Sequence, residues 1–189
     1  MSVLVVIDAQ NEFSPSGKRP VVGHAQALEA IQRRVAEARS EGRPIAWIRH
    51  HNRPNDPPAF LPGTWGAELS PGLGPDPARR DDETLLQKET SGAFAGTALE
   101  DWLAGHGERQ ILLVGFFTFG CLSTTAREAL DRGYAVAIDP DGTASIDLAH
   151  ELLGALEAAV IKQAALLQLN QMGAAITSWP AAGGSEAKE

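Results

Sequence analysis

Short aliphatic runs recur along the chain, and stretches with helical spacing lie between most of them. Val3-Leu-Val-Val-Ile7, Pro44-Ile-Ala-Trp-Ile48, Ile111-Leu-Leu-Val114 and Tyr134-Ala-Val-Ala-Ile138 are largely β-branched or aliphatic, as in strands buried on both faces. Between the first two, His24 to Ser40 places Ala27, Leu28, Ile31, Val35 and Ala38 along one helical face, and Gly42 and Pro44 end it. Thr84-Leu-Leu-Gln87 reads as a further strand. Thr97 caps a short helix containing Leu99, Trp102 and Leu103, with Glu100 in capping-box spacing. Leu122 to Arg132 is a helix that Gly133 stops. From Asp147 to Met172 the spacing predicts helix, with a break near Gly154 and an end at Gly173, and Ala175-Ile-Thr-Ser178 is a sixth strand. Strands alternating with helices predict an α/β fold, with a parallel sheet, right-handed crossovers and helices on both faces.

A chain of 189 residues fits one such domain, expected over residues 1–180, with a small, polar and disordered tail at 181–189. Residues 52–83 are rich in Pro and Gly and show no period, which points to a functional excursion or lid. The net charge of −8 argues against a nucleic-acid partner. No apolar run approaches the roughly 20 residues of a bilayer span, and the chain enters its first strand without a leader pattern. A single cysteine excludes an intrachain disulfide and fits a reducing compartment, so the expected setting is cytoplasmic.

Three of the strands end in chemistry. The first stops at Asp8, the third at Lys88, and the fourth runs through a Gly-containing turn to Cys121. Taken singly each has an ordinary explanation: Asp8 a turn or cap residue, Lys88 a solvated surface cation, Cys121 an inert small hydrophobe. A parallel sheet brings strand carboxyl ends to one edge, where ligands bind. An acid, an amine and a thiol gathered there make a nucleophile with its activators. The amide groups and dipole at the start of the following helix would favour a thiolate at Cys121.

These residues also stand in recognisable segments. Val6-Ile-Asp-Ala-Gln-Asn-Glu-Phe13, Lys88 followed by Ser91-Gly-Ala-Phe94 and Gly96-Thr-Ala-Leu99, and Gly115-Phe-Phe-Thr-Phe-Gly-Cys121 with Thr125-Ala-Arg127 and Gly133-Tyr134 resemble the isochorismatase-like cysteine hydrolases. Pro62-Gly-Thr-Trp-Gly-Ala-Glu-Leu69 and Asp141-Gly-Thr-Ala-Ser145 resemble them too. The resemblance spans nearly the whole chain and includes nicotinamidases and N-carbamoylsarcosine amidohydrolases. It implies a Rossmann-like three-layer αβα sandwich with a mostly parallel six-stranded sheet, and an Asp8–Lys88–Cys121 catalytic triad at its edge. Cys121 would attack a small carboxamide or ureide, Asp8 would move the proton, and Lys88 would hold both in their charged forms. The amides of Phe117 and Cys121 would form the oxyanion hole, with a cis Phe116–Phe117 bond ahead of it. Gln10, Phe13, Trp65 and Phe94 would line the substrate pocket, no cofactor is implied, and relatives form homo-oligomers, as dimers or tetramers.

The departures from the pattern are as informative. Nicotinamidases carry an Asp-x-His pair for a metal near the end of the second strand, whereas this chain reads Trp47-Ile-Arg-His-His-Asn52, so no metal site is carried over. His50 and His51 either line the pocket or form a partly exposed pair. Phe119 stands where relatives commonly have a polar residue, making the pocket less polar. Rival readings are a vinyl-ether hydrolase using Asp8 and Lys88 alone, a non-catalytic interaction protein on the same scaffold, and a Cys121–His50 dyad.

Overall fold

The computed structural model describes residues 2–53 and 55–177. The tail expected to be disordered lies outside them. In chain order the elements are β1 (Val3–Ile7), α1 (His24–Ser40), β2 (Ile45–His50), β3 (Glu83–Lys88), α2 (Leu99–Gly105), β4 (Gln110–Phe116), α3 (Ser123–Asp131), β5 (Ala135–Ala144), β6 (Leu148–His150), β7 (Gly154–Leu156), α4 (Ala158–Gln171) and β8 (Ala175–Ile176). Six strands form one sheet in the order β3-β2-β1-β4-β5-β8, with every pairing parallel.

The alternation of a strand explains the two cores. Val3, Val5, Ile7, Ile111 and Leu113 face one way, against Leu99 and Leu103 of α2, Ala126 and Ala129 of α3, and Leu166 and Leu169 of α4. Leu4, Val6, Leu112 and Val114 face the other way, against Ala27, Ile31, Val35 and Ala38 of α1. β1 is therefore apolar at every position and β4 from Ile111 to Val114, which is why both read as continuous runs.

Two segments differ from the reading of the sequence. Residues 148–156, expected to begin the last helix, form the antiparallel β6–β7 hairpin. Its Leu148, Leu152, Leu153 and Leu156 are exposed, Gly154 turns it at φ 78°, and Asp147 Oδ1 accepts the first amide of α4 from Ala158 at 2.7 Å. The leucine spacing mimics a helix, but the left-handed glycine and the Asp147 cap delay the helix to Ala158. β5 also runs further than expected. The register shifts between Leu113 and Gly115, and Asp139-Pro-Asp-Gly142 sits in the irregularity, where a proline is tolerated.

Gly115, in β4, takes φ 121°, and a Cβ there would lie 1.8 Å from the carbonyl oxygen of Ile7. Only glycine allows the two central strands to pair through this point. One residue further on, the Phe116–Phe117 peptide bond is cis, as the resemblance implied.

Candidate active site

Asp8 follows β1 immediately, fully buried and at φ 50°, a region that Asp enters more readily than most residues. Its amide donates to the carbonyl of Ile48, which fixes the acid between β1 and β2. Lys88 closes β3 and is 1% exposed. Cys121 stands in the turn 118–122 ahead of α3, after a non-helical kink at Gly120, and its carbonyl accepts the Thr125 hydroxyl at 2.7 Å. The three meet at the carboxyl edge of the sheet. Lys88 Nζ lies 2.8 Å from Asp8 Oδ2 and 3.3 Å from Cys121 Sγ.

The charges settle the resting state. Burial alone would lower the Lys88 pKa, but the neighbouring Asp8 and Cys121 outweigh it and hold the ammonium charged. Burial first, and then the Asp8 carboxylate, push the Cys121 thiol up to about 12 against the pull of Lys88. The thiolate expected from the helix start is therefore not the resting form. Lys88 is already neutralised by Asp8, and α3 begins only at Ser123, past the kink. A neutral thiol beside an ammonium–carboxylate pair is a set of groups that can carry nucleophilic and acid–base chemistry.

A family model for the isochorismatase domain matches residues 2–181. The chain belongs to the isochorismatase family. It is 33% identical over 147 residues to a secreted isochorismatase effector of Verticillium dahliae, covering 78% of this chain and 74% of that one. It is 29% identical over 177 residues to the nicotinamidase/pyrazinamidase of Mycobacterium tuberculosis, covering 83% and 93%. Among solved structures, an isochorismatase from Pseudomonas putida superposes with a TM-score of 0.84 at 31% identity, covering 93% of this chain and 86% of that one. The family is one of hydrolases that includes amidohydrolases.

Within this isochorismatase-family fold, the residues expected to line a pocket separate into two groups. Phe13 joins Phe60, Phe116 and Phe117 at centroid distances of 5.0, 5.3 and 4.8 Å, and Phe119 stacks on Phe117 at 5.3 Å. These rings form an aromatic cluster in the core on the α1 side of the sheet, with Phe119 packed against it. Gln10 is different: its side chain accepts from the His50 amide at 2.8 Å and donates to the carbonyls of His50 and Ala67 at 2.9 and 2.8 Å. It clamps β2 to the excursion, with its polar atoms committed to backbone. Trp65 is 55% exposed, and Phe94 packs into the other core, 5.7 Å from Tyr134.

Several residues of the site could not be singled out from sequence. Glu12 is buried and accepts the amides of Phe60 and Lys18, each at 3.1 Å, so it pins the excursion beside β1. Glu128 accepts the Phe94 amide and Thr125 the Ala93 amide, both at 3.1 Å, which shapes the turn after Lys88. Glu12 lies inside the segment from Val6 to Phe13, and that position is its one signal. Of the two histidines the sequence offered, His50 is half-buried, with Nδ1 3.2 Å from Lys88 Nζ, and His51 is buried. Among the described residues no group of three or more His, Cys, Asp or Glu side chains could hold a metal ion. The donor set does not fit a metal centre, and no step is routed through one.

Proposed function

We propose that this protein is a cysteine hydrolase that cleaves the C–N bond of a small carboxamide or ureide through a Cys121 thioester. One observation carries the reading: a single buried ammonium, that of Lys88, contacts both an aspartate and the only thiol in the chain. Cys121 Sγ adds to the carbonyl carbon while Asp8 takes the thiol proton. The amides of Phe117 and Cys121 hold the oxyanion, each donor contributing about 3–4 kcal/mol in comparable sites. The adduct collapses, Asp8 returns the proton to the departing nitrogen, and ammonia or an amine leaves. Water then adds to the thioester with Asp8 as base. The sulfur departs, recovers a proton, and the carboxylic or carbamic acid is released.

The aromatic cluster of Phe13, Phe60, Phe117 and Phe119 suits a flat, partly apolar substrate. The nicotinamidase relative acts on such an amide by its name. A vinyl-ether reaction would need only the acid and the lysine, so the position of the thiol on the same ammonium favours acyl transfer. A second copy of the chain belongs to the same proposal. The four exposed leucines of the β6–β7 hairpin sit on a two-stranded ribbon, which is marginally stable alone, and an equally apolar hairpin from a second copy would cover them. A cytoplasmic setting suits the unpaired thiol, and among the described residues no helix is long and apolar enough to cross a membrane.

The test is a screen of small carboxamides, ureides and N-carbamoyl compounds for ammonia release, with mass spectrometry of the quenched enzyme. Turnover with an acyl mass on the Cys121 peptide is the expected result. Turnover that survives Cys121→Ala would remove the thioester.

A further inference from the structure

The Lys88 ammonium has three protons and four acceptors around it. Two belong to the triad. The others are the Thr90 carbonyl at 3.0 Å and His50 Nδ1 at 3.2 Å. The far side of the imidazole is committed as well. Nε2 lies 2.7 Å from Asn52 Oδ1, while Asn52 Nδ2 donates to the Pro57 carbonyl at 2.8 Å. An Asn whose nitrogen is engaged as donor presents its oxygen as acceptor, so Nε2 carries the hydrogen. Nδ1 is left with its lone pair towards the ammonium. The Phe60 ring stands edge-on to the imidazole at 5.4 Å and 86°.

We propose that His50 is a positioning residue: a neutral imidazole, held as the Nε2–H tautomer by Asn52, that accepts a Lys88 proton and fixes the ammonium between Asp8 and Cys121. The proposal rests on the reading of those three residues as the triad. It gives the excursion of residues 52–83 a direct connection to the catalytic charge, through Asn52, Pro57 and Phe60. The charged groups facing the ring are Lys88 from β3, Asp8 from the end of β1 and Asp56 from the excursion, with the Cys121 thiol across the ammonium. Burial first, and then Lys88, hold the imidazole below its ordinary 6.5, against the opposing pull of Asp8, Asn52 and Asp56. At neutral pH the ring is uncharged and the contact is intact. Protonation would turn Nδ1–H against an ammonium 3.2 Å away and drive Lys88 off its two partners. Acid therefore disables the site through His50.

Long-range proton–nitrogen NMR of the histidine-labelled protein reads the tautomer without any substrate. The expected spectrum shows His50 neutral and Nε2-protonated at pH 7, titrating below 6.5, with that titration raised in Lys88→Ala. An Nδ1-protonated or charged ring at pH 7 would overturn the proposal. Kinetics with an amide found by the screen give the second readout. His50→Leu is expected to lower kcat about ten- to a hundredfold with KM little changed, the effect of losing one hydrogen bond to a charged group. His50→Asn, whose Oδ1 replaces Nδ1 and does not titrate, should restore most of kcat and move the acid limb to lower pH. A His50→Leu enzyme with the kcat and acid limb of the wild type would equally overturn it. If no amide or ureide is hydrolysed at all, the hydrolase reading falls, and the NMR result decides the role of His50 by itself.

Discussion

With Lys88 already paired to Asp8, a thiolate at Cys121 would be a second anion on one cation, and burial makes that arrangement costly. In the proposed mechanism the nucleophile is generated during attack, by transfer of its proton to Asp8. Removing any member of such a unit should therefore cost almost the whole rate. Cys121→Ala and Asp8→Asn are each expected to lower kcat/KM by at least about a thousandfold, as for other triads that act together. The melting temperature of Cys121→Ala should stay close to that of the wild type, because the side chain is small and partly exposed. Calorimetry beside the ammonia assay separates the two effects. A Cys121→Ala protein with native melting and native turnover would refute covalent catalysis.

At the scale of elements, β4 passes β1 at Gly115 with no room for a side chain. Gly115→Ala places a methyl group against the Ile7 carbonyl, and neither is a flexible side-chain tip. Urea unfolding should show a loss of about 3 kcal/mol or more, since the clash is with backbone and the residue is at positive φ. The strands are legible in the sequence because burial on both faces leaves a continuous apolar run. The polar residues that interrupt those runs mark Asp8, Lys88 and Cys121. The β6–β7 hairpin is not legible in the same way. Leu148, Leu152 and Leu156 repeat at helical spacing, and only the conformation of Gly154 and the Asp147 cap decide otherwise. Glu12 and Glu128 are hidden for a different reason. Each acts through partners distant in sequence, which no local pattern announces. The same hairpin is where a second copy should dock. Sedimentation velocity is expected to find an oligomer in the native protein, and Leu152→Glu with Leu153→Glu to shift it towards the monomer. A native protein that sediments as a monomer at all concentrations would discard that interface.

Across the whole molecule, one buried acid ties together parts that the sheet alone does not. Glu83, its side chain wholly buried, accepts Arg39 through Nε at 2.8 Å and Nη2 at 2.9 Å, the Trp47 indole at 3.0 Å and the Asp76 amide at 3.1 Å. Burial would raise its pKa, but the bonds from Arg39, Trp47 and Asp76 and the Arg39 charge bring it below the free value of 4.5. The ionised form is thus the one the fold stabilises. That contribution should be complete above pH ~4.5 and lost as the pH falls through the lower folded value. Glu83→Gln is expected to destabilise at pH 7 by about 3 kcal/mol, as breaking one side of a buried pair does, and to flatten this acid dependence. Equal acid dependence in both proteins, followed by denaturant melts between pH 3 and 7, would place the effect elsewhere. The excursion of residues 52–83 is held in another manner. Gln10, Asn11 and Glu12 grip it by main-chain groups, namely the carbonyls of Ala67 and Trp65 and the amide of Phe60. Such a grip is indifferent to the side chains it carries, apart from Gly66, where any Cβ would strike the Glu12 carboxylate. The excursion is therefore open to mutation in a way the buried Asp8 and Lys88 are not. Substitutions at Leu61, Pro62, Thr64 and Trp65, whose side chains are partly or largely exposed, leave those main-chain bonds in place.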